Sequence, residues 1–456
     1  MTRCLPVVAL LLLLSSCSLF SYHPYELGST PGPSEANLKA EDRQPLDGSA
    51  KDRMFIGIAM SGGGSRAANF AAATLLQLRT LGLLDRADAL SSVSGGSMPA
   101  IYYALEGHEY FSLVPFGTQR IAFTEQEVKE RFSPHYQLRF ALRWLLPQNI
   151  VLYWLSSYNR TEIMFDVFDA NLFHGATYAD LKQGKGPKLL VNATDRDDLE
   201  HFILSDTVSL PYGLADLPYK RFVFADERVP GADLKPLPLS VAMASSSAVP
   251  GLLQNVTLAN PKSQPSGPQT YYHLMDGMLA DNSGLLTLLD LLQQAVKDGT
   301  FDREFPDGCR VIYIDAAPQF PNWAREVDDT RGWKDYLLDR NLADAVDYIL
   351  LPQREQALGL MGLRPEDIRN DVAVSSFAIA PNAPGDRKEK TCSFWHIALR
   401  HVKPDPAKPP LWIPTEWDIS DEQQAFLYEA ACKAVKRGWD AGARNWFGTP
   451  GRTVGC

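Results

Sequence analysis

The chain has 456 residues, 45% of them hydrophobic and 21% charged, with a net charge of −10. That length suits one large or two medium domains with sizeable cores, and the composition is globular rather than disordered. The acidic balance argues against nucleic acid as a partner and against broad electrostatic adhesion to anionic lipid, so membrane contact would have to come from an anchor or apolar patches.

At the start, Arg3 precedes an apolar run from Leu5 to Leu14 that only Pro6 interrupts. The run is too short to cross a bilayer and suits the core of a signal peptide. It ends in Leu14-Ser15-Ser16-Cys17, which resembles the bacterial lipobox. The resemblance implies removal of residues 1–16, acylation of Cys17 and, with Ser18 rather than Asp following, an outer-membrane anchor facing the periplasm. An ordinary cleaved signal with a chance cysteine is the other reading. Acyl chains contribute about 0.8 kcal/mol per buried CH2, so two or three would hold firmly. Residues 18–53 are polar and carry Pro24, Pro31, Gly32, Pro33 and Pro45 with little hydrophobic rhythm. They are expected to form a flexible tether with a mean reach of roughly 30 Å.

Ordered structure is expected from Met54. The apolar Met54–Met60 reads as a buried strand, followed by a glycine-rich turn and a helix from Arg66 to Leu84. Ala89–Val93 reads as a second strand, and Gly95 opens a second helix in which Pro99 is tolerable only in the first turn. Further strands are expected at Lys188–Ala193, Phe202–Leu204, Arg221–Phe224, Tyr271–Leu274 and Val311–Ile314, and helices at Leu285–Lys297, Leu342–Leu360 and Glu422–Arg437. Alternating strands and helices give an α/β fold with a mostly parallel sheet covered on both faces. The stretch Glu109–Phe173 is a helical insertion rich in Tyr, Trp and Phe, with Arg139 and Arg143 four residues apart. A lid or lipid-facing patch is one reading, and ordinary helices packed beside the sheet are the other.

Three turns carry candidate chemistry. Ser61-Gly62-Gly63-Gly64-Ser65-Arg66 lies between a strand and a helix, where glycines turn the backbone and point N–H groups into a pocket. The Gly-Lys-Ser/Thr ending of a nucleotide phosphate loop is absent, which disfavours a nucleotide-binding reading. Ser92-Val93-Ser94-Gly95-Gly96 occupies a similar strand-to-helix turn, as a nucleophile elbow requires. Asp276-Gly277-Met278 follows the strand at Tyr271 and is trailed by Asp281-Asn282.

In this order the three turns resemble the signatures of the patatin-like phospholipase family, G-x-G-x-x-G/A, G-x-S-x-G and D-G-A/G. Val191–Asp195 and Ala244–Pro250 look like family segments between them. The resemblance spans roughly residues 55–285, and departs at Ser92, where the family has Gly, and at Met278. It implies a three-layer sandwich over 54–320, with 321–456 as a C-terminal extension of no assigned role. It also implies a serine acyl hydrolase for phospholipid or lysophospholipid esters that needs no cofactor. Ser94 would be the nucleophile and Asp276 its base, with backbone N–H groups of Gly62, Gly63 and Gly64 as the oxyanion hole. Arg66 would steady the loop or meet an anionic head group, unless it is only a solvated first-turn residue.

Other readings stay open. A Ser-His-Asp esterase would need a histidine after the acid, and His396 and His401 qualify by order. Asp195 and Asp315 are alternative carboxylates. A lipid-binding or scaffolding lipoprotein without activity is favoured by Ser92. Cys309, Cys392, Cys432 and Cys456 permit two disulfides in any of three pairings, or free thiols.

Overall fold

The computed structural model describes residues 24–26, 28–29, 53–113, 116–133, 135–156, 158–181, 186–197, 200–205, 222–224, 232–259, 271–317, 349–379, 390–402, 413, 415–447 and 452–456. The signal segment, Cys17, most of the expected tether and the Pro404–Pro410 stretch lie outside them.

The main sheet has eleven strands: β1 Pro24–Glu26, β2 Phe55–Met60, β3 Ala89–Val93, β4 Lys188–Asp195, β5 His201–Ser205, β6 Phe222–Phe224, β7 Val256–Ala259, β8 Tyr271–Asp276, β9 Cys309–Asp315, β10 Val374–Ile379 and β11 Lys390–Ala398. Their order is β1-β7-β8-β4-β3-β2-β9-β11-β10, with β5 and β6 branching from β4. The centre, β4-β3-β2-β9-β11, is parallel, and antiparallel pairs flank it on both sides. Parallel strands need helical crossovers, which leave both faces covered and explain the apolar run of β2 and the small or apolar side chains of β3.

The helices are α1 Gly64–Thr80, α2 Ser97–Ala104, α3 Glu125–Phe132, α4 Tyr136–Trp144, α5 Pro147–Leu155, α6 Arg160–Phe168, α7 Leu239–Ser247, α8 Leu285–Asp298, α9 Leu351–Leu360 and α10 Asp421–Ala441, with shorter turns between them. Alternation along β2 assigns the two faces. Ile56, Ile58 and Met60 join the core of α1, α2, α7 and α10, whereas Phe55 and Ala59 join the core of α8 and α9. The result is the expected three-layer sandwich with a mostly parallel sheet.

Two expectations are corrected. The tether is not featureless, because β1 pairs in parallel with β7 and Gly28–Ser29 pairs with Ala232–Asp233. The sheet also does not stop near residue 320. β11 inserts beside β9, β10 closes that edge, and α10 packs on α1. The 321–456 region is therefore part of the same sandwich rather than a separate appendage. β11 escaped notice because Thr391, Ser393 and His396 interrupt its apolar residues.

The insertion is a hairpin, Glu109–Leu113 with Phe116–Arg120, followed by α3 to α6. Within its helices Tyr136 and Tyr153 are buried and Phe140 meets Phe168 edge-on at 5.6 Å, whereas Phe111 and Phe116 of the hairpin are exposed. The cysteines pair Cys309–Cys392, across neighbouring β9 and β11, and Cys432–Cys456, tying the C-terminal segment to α10.

Candidate active site

The site arises where two strands share one edge of a longer one. β4 has eight residues; β3 pairs along it as far as Val93 opposite Asn192, and β8 arrives from the other direction to place Asp276 opposite Ala193. The C-terminal ends of β3 and β8 therefore meet head to head. The next residue after Val93 is Ser94, whose Oγ donates a hydrogen bond to Asp276 Oδ2 at 2.9 Å.

Ser94 has φ of +48°, a left-handed conformation that costs a non-glycine residue on the order of 1–3 kcal/mol. Its surroundings hold it there. The Ser94 N–H donates to Ser246 Oγ at 2.8 Å, and Ser246 Oγ donates to the Asn192 carbonyl at 2.6 Å. Gly95 and Gly96 let the turn lie against the glycine-rich loop. A Cβ on Gly95 would stand 2.1 Å from the Gly64 carbonyl oxygen, and one on Gly96 would stand 2.6 Å from that of Ser61. Ser92 is buried with its hydroxyl 3.5 Å from the Leu190 carbonyl, and its own carbonyl accepts from Asn192 Nδ2 at 2.9 Å. Its side chain thus finds room within the sheet beside the turn.

Asp276 is fully buried. Burial pushes its carboxyl up to about 7, against the opposing pull of the Met278 N–H, which donates to Oδ1 at 2.9 Å, and of the Ser94 hydroxyl. Only the backbone of Met278 serves the carboxylate, so the departure at that position leaves the turn intact. Thr194 Oγ1 donates to the Asp276 carbonyl at 2.9 Å, and the Asp276 N–H donates to the Ala248 carbonyl at 3.0 Å.

The glycine-rich loop needs one correction. The Gly62 N–H is already spent on the Asn282 carbonyl at 3.1 Å and is not available to an oxyanion. Gly63 and Gly64, at positive φ and opening α1, have N–H groups with no acceptor among the described residues. A Cβ on Gly62 would meet Asn282 Oδ1 at 2.3 Å and Ser94 Cβ at 3.2 Å, so the Asn282 side chain and Ser94 lie on the same side of Gly62. Arg66 is buried, not solvated. Its Nε donates to the Ala316 carbonyl at 2.9 Å and its Nη1 to that of Ile413 at 3.0 Å, pinning the loop to two distant segments.

The rival residues go elsewhere. His396 Nε2 lies 2.8 Å from Asp315 Oδ2, which also accepts from Arg354 Nε at 2.7 Å. Burial alone would raise Asp315, but Arg354 and His396 together hold it well below the usual carboxylate range. His401 sits edge-on to His396 at 4.7 Å. Asp195 receives the Asp197 N–H at 3.0 Å. Among the described residues no histidine hydrogen-bonds Ser94, and no group of three or more His, Cys, Asp or Glu is placed to hold a metal.

A family model described as "Patatin-like phospholipase" matches residues 58–289. The chain belongs to this family. The matched range of this patatin-like protein includes all three turns. No curated protein matches the sequence. Among solved structures it is similar to human GIVD cytosolic phospholipase A2 (12% identity, 87% of this chain and 62% of that one, TM-score 0.44). It is also similar to the same human protein in complex with methyl gamma-linolenyl fluorophosphonate (15%, 87% and 59%, 0.45), and to VipD from Legionella pneumophila (12%, 94% and 73%, 0.27). The chain thus spans about three fifths of the length of the human structures.

Sequence reading gave no role to Asn192, Thr194 or Ser246, although it singled out their segments as family-like. These residues brace the two turns from beneath. Asn282 was visible only as a companion of the Asp-Gly turn. Gln353, whose Nε2 donates to the Ala280 carbonyl at 2.8 Å and whose Oε1 accepts the Asn282 N–H at 3.2 Å, carried no local signal.

Proposed function

We propose that the chain is a serine acyl hydrolase acting on lipid esters through a Ser94–Asp276 dyad. The observation that carries this is a strained, positive-φ serine hydrogen-bonded at 2.9 Å to a buried carboxylate at the meeting of two strand ends. Ser94 Oγ attacks the ester carbonyl while its proton passes to Asp276. The tetrahedral intermediate collapses, the C–O bond to the leaving alcohol breaks, and Asp276 returns the proton to that oxygen. Water then repeats the sequence and releases the fatty acid. A carboxyl poised near 7 suits both directions of this transfer. The Gly63 and Gly64 N–H groups receive the oxyanion. Each such donor is worth about 100- to 1,000-fold in rate.

Phospholipid or lysophospholipid is the substrate class that family membership supports. An acylated Cys17 would hold the enzyme at the periplasmic face of the outer membrane, and two disulfides suit that oxidising compartment. The second reading, a scaffold without activity, was favoured by Ser92, but that side chain leaves the Ser94–Asp276 contact undisturbed.

Turnover of a long-chain ester by two variants tests the proposal. Ser94→Ala and Asp276→Asn are expected to lower kcat by about 10,000-fold. Wild-type turnover in folded Ser94→Ala would overturn it.

A further inference from the structure

We propose that the outer face of α4 and α5 docks on a lipid bilayer and brings the glycine-rich loop to its surface; this inference rests on the lipid-ester reading above. The two helices are apolar on both sides. Inward, Tyr136 joins the core of the sandwich with Phe140 packed against it, and Tyr153 is buried against Trp144 and Trp154. Outward, Leu138 and Leu142 on α4, Leu145 at its C-cap, and Val151, Leu152 and Leu155 on α5 are exposed, Leu142 by 57% and Leu155 by 65%. Leu138, Leu142 and Leu145 are four and three apart, and Leu155 lies four residues after Val151 and three after Leu152, so each set lines one helical face. Six large aliphatic side chains on one helical hairpin form the kind of exposed patch that marks an interaction surface.

Charge selects the occupant. From Arg131 to Thr161 the chain has no Asp or Glu, although it holds 54 of them in all, and the segment contains four Arg. Arg143 is committed to Asp166 inside the insertion, whereas Arg139 is exposed beside the leucine face. A face whose own helices carry no acidic residue, with Glu416 and Asp418 meeting Gln137 and His135 at the start of α4, lessens the repulsion that anionic head groups would meet on an otherwise acidic protein. Trp144 and Trp154, half-buried at the ends of the two helices, suit the head-group boundary.

Position links this face to the chemistry. The Gln137 N–H at the start of α4 donates to the Trp417 carbonyl at 3.2 Å, and Gln137 Nε2 donates to Glu416 Oε2 at 3.3 Å. The Glu416 carbonyl in turn accepts the Ser65 N–H at 2.7 Å, and it would stand 2.5 Å from a Cβ on Gly64. One short segment therefore separates the docking face from the loop beside Ser94, so a lipid entering from the bilayer has a short path to the site.

The test uses the full chain carrying Cys17→Ser, so that no acyl anchor contributes, with vesicles of phosphatidylcholine with or without phosphatidylglycerol. Hydrogen exchange is expected to slow in residues 136–155 when vesicles are added, more strongly with phosphatidylglycerol. The double variant Leu142→Asp and Leu152→Asp is expected to lose that protection and to bind about tenfold more weakly or worse. Its fluorophosphonate labelling at Ser94 should match that of the parent, which also reports that it is folded. Vesicle binding without protection of 136–155 would overturn the proposal. So would unchanged binding by the double variant, or a wild-type dimer that the variant converts to monomer while vesicles leave 136–155 unprotected. Exchange is read without turnover, so an unreactive Ser94 would defeat the hydrolase reading while leaving the docking result to stand or fall by itself.

Discussion

Asp276 serves two opposed demands, since a proton acceptor must ionise and a fully buried carboxyl resists ionising. Its folded pKa, pushed up to about 7 by burial, lies above the ordinary value of 3.8. The protonated form is therefore favoured by folding, and stability on this account is fullest below about pH 4. It falls by about 1.4 kcal/mol per pH unit as pH rises toward 7, then levels off. Activity runs the other way, because the ionised form takes the proton from Ser94. The kcat profile is expected to show an acid limb near pH 7. Asp276→Asn, inactive but with its amide oxygen accepting the Met278 N–H and its amide nitrogen donating to the Ser94 hydroxyl, should melt higher than wild type by a margin that grows from pH 5 to pH 7; equal melting temperatures at both pH values would contradict this. The pairing of Ser94 with Asp276 was legible because the three glycine-bearing turns, taken in their order, resemble the signatures of the family. The use of the Gly62 N–H was not, since its partner Asn282 is more than two hundred residues away and nothing local announces it.

At the scale of elements, α9 shows how the later part of the chain serves the site. Gln353 clamps the Ala280–Asn282 turn, and the adjacent Arg354 reaches Asp315 at the end of β9. Both partners of that ion pair are buried. Arg354→Ala would leave Asp315 with His396 and the Ala317 N–H but no guanidinium, and is expected to cost about 3–5 kcal/mol in denaturant unfolding. A loss under 1 kcal/mol would show that the pair is not the brace described here. The strands that could be read in advance were those buried on both faces, such as Phe55–Met60 and Ala89–Val93, where every side chain is apolar or small. β1, β7 and β10 are short or peripheral, and β11 carries a buried histidine that a strand pattern does not anticipate.

Across the whole molecule, one sheet joins residues from Pro24 to Ala398, so local sequence divisions misjudge where it ends. The parallel centre depends on β11 beside β9, and Cys392 of β11 is disulfide-bonded to Cys309. A chain ending at residue 320 exposes the β9 edge and uncovers α1, which α10 otherwise covers. Such a chain is expected to be insoluble or to lose cooperative thermal unfolding. A soluble truncation with a sharp melting transition would refute the single-sandwich description.

The most direct measurement of the central claim is covalent labelling of the protein with a fluorophosphonate, with the modified residue located by mass spectrometry. The account predicts a single adduct on Ser94 in wild type, its absence in Ser94→Ala, and its near-absence in Asp276→Asn. A folded wild-type protein that forms no adduct, or forms it on another serine, would contradict the Ser94–Asp276 dyad.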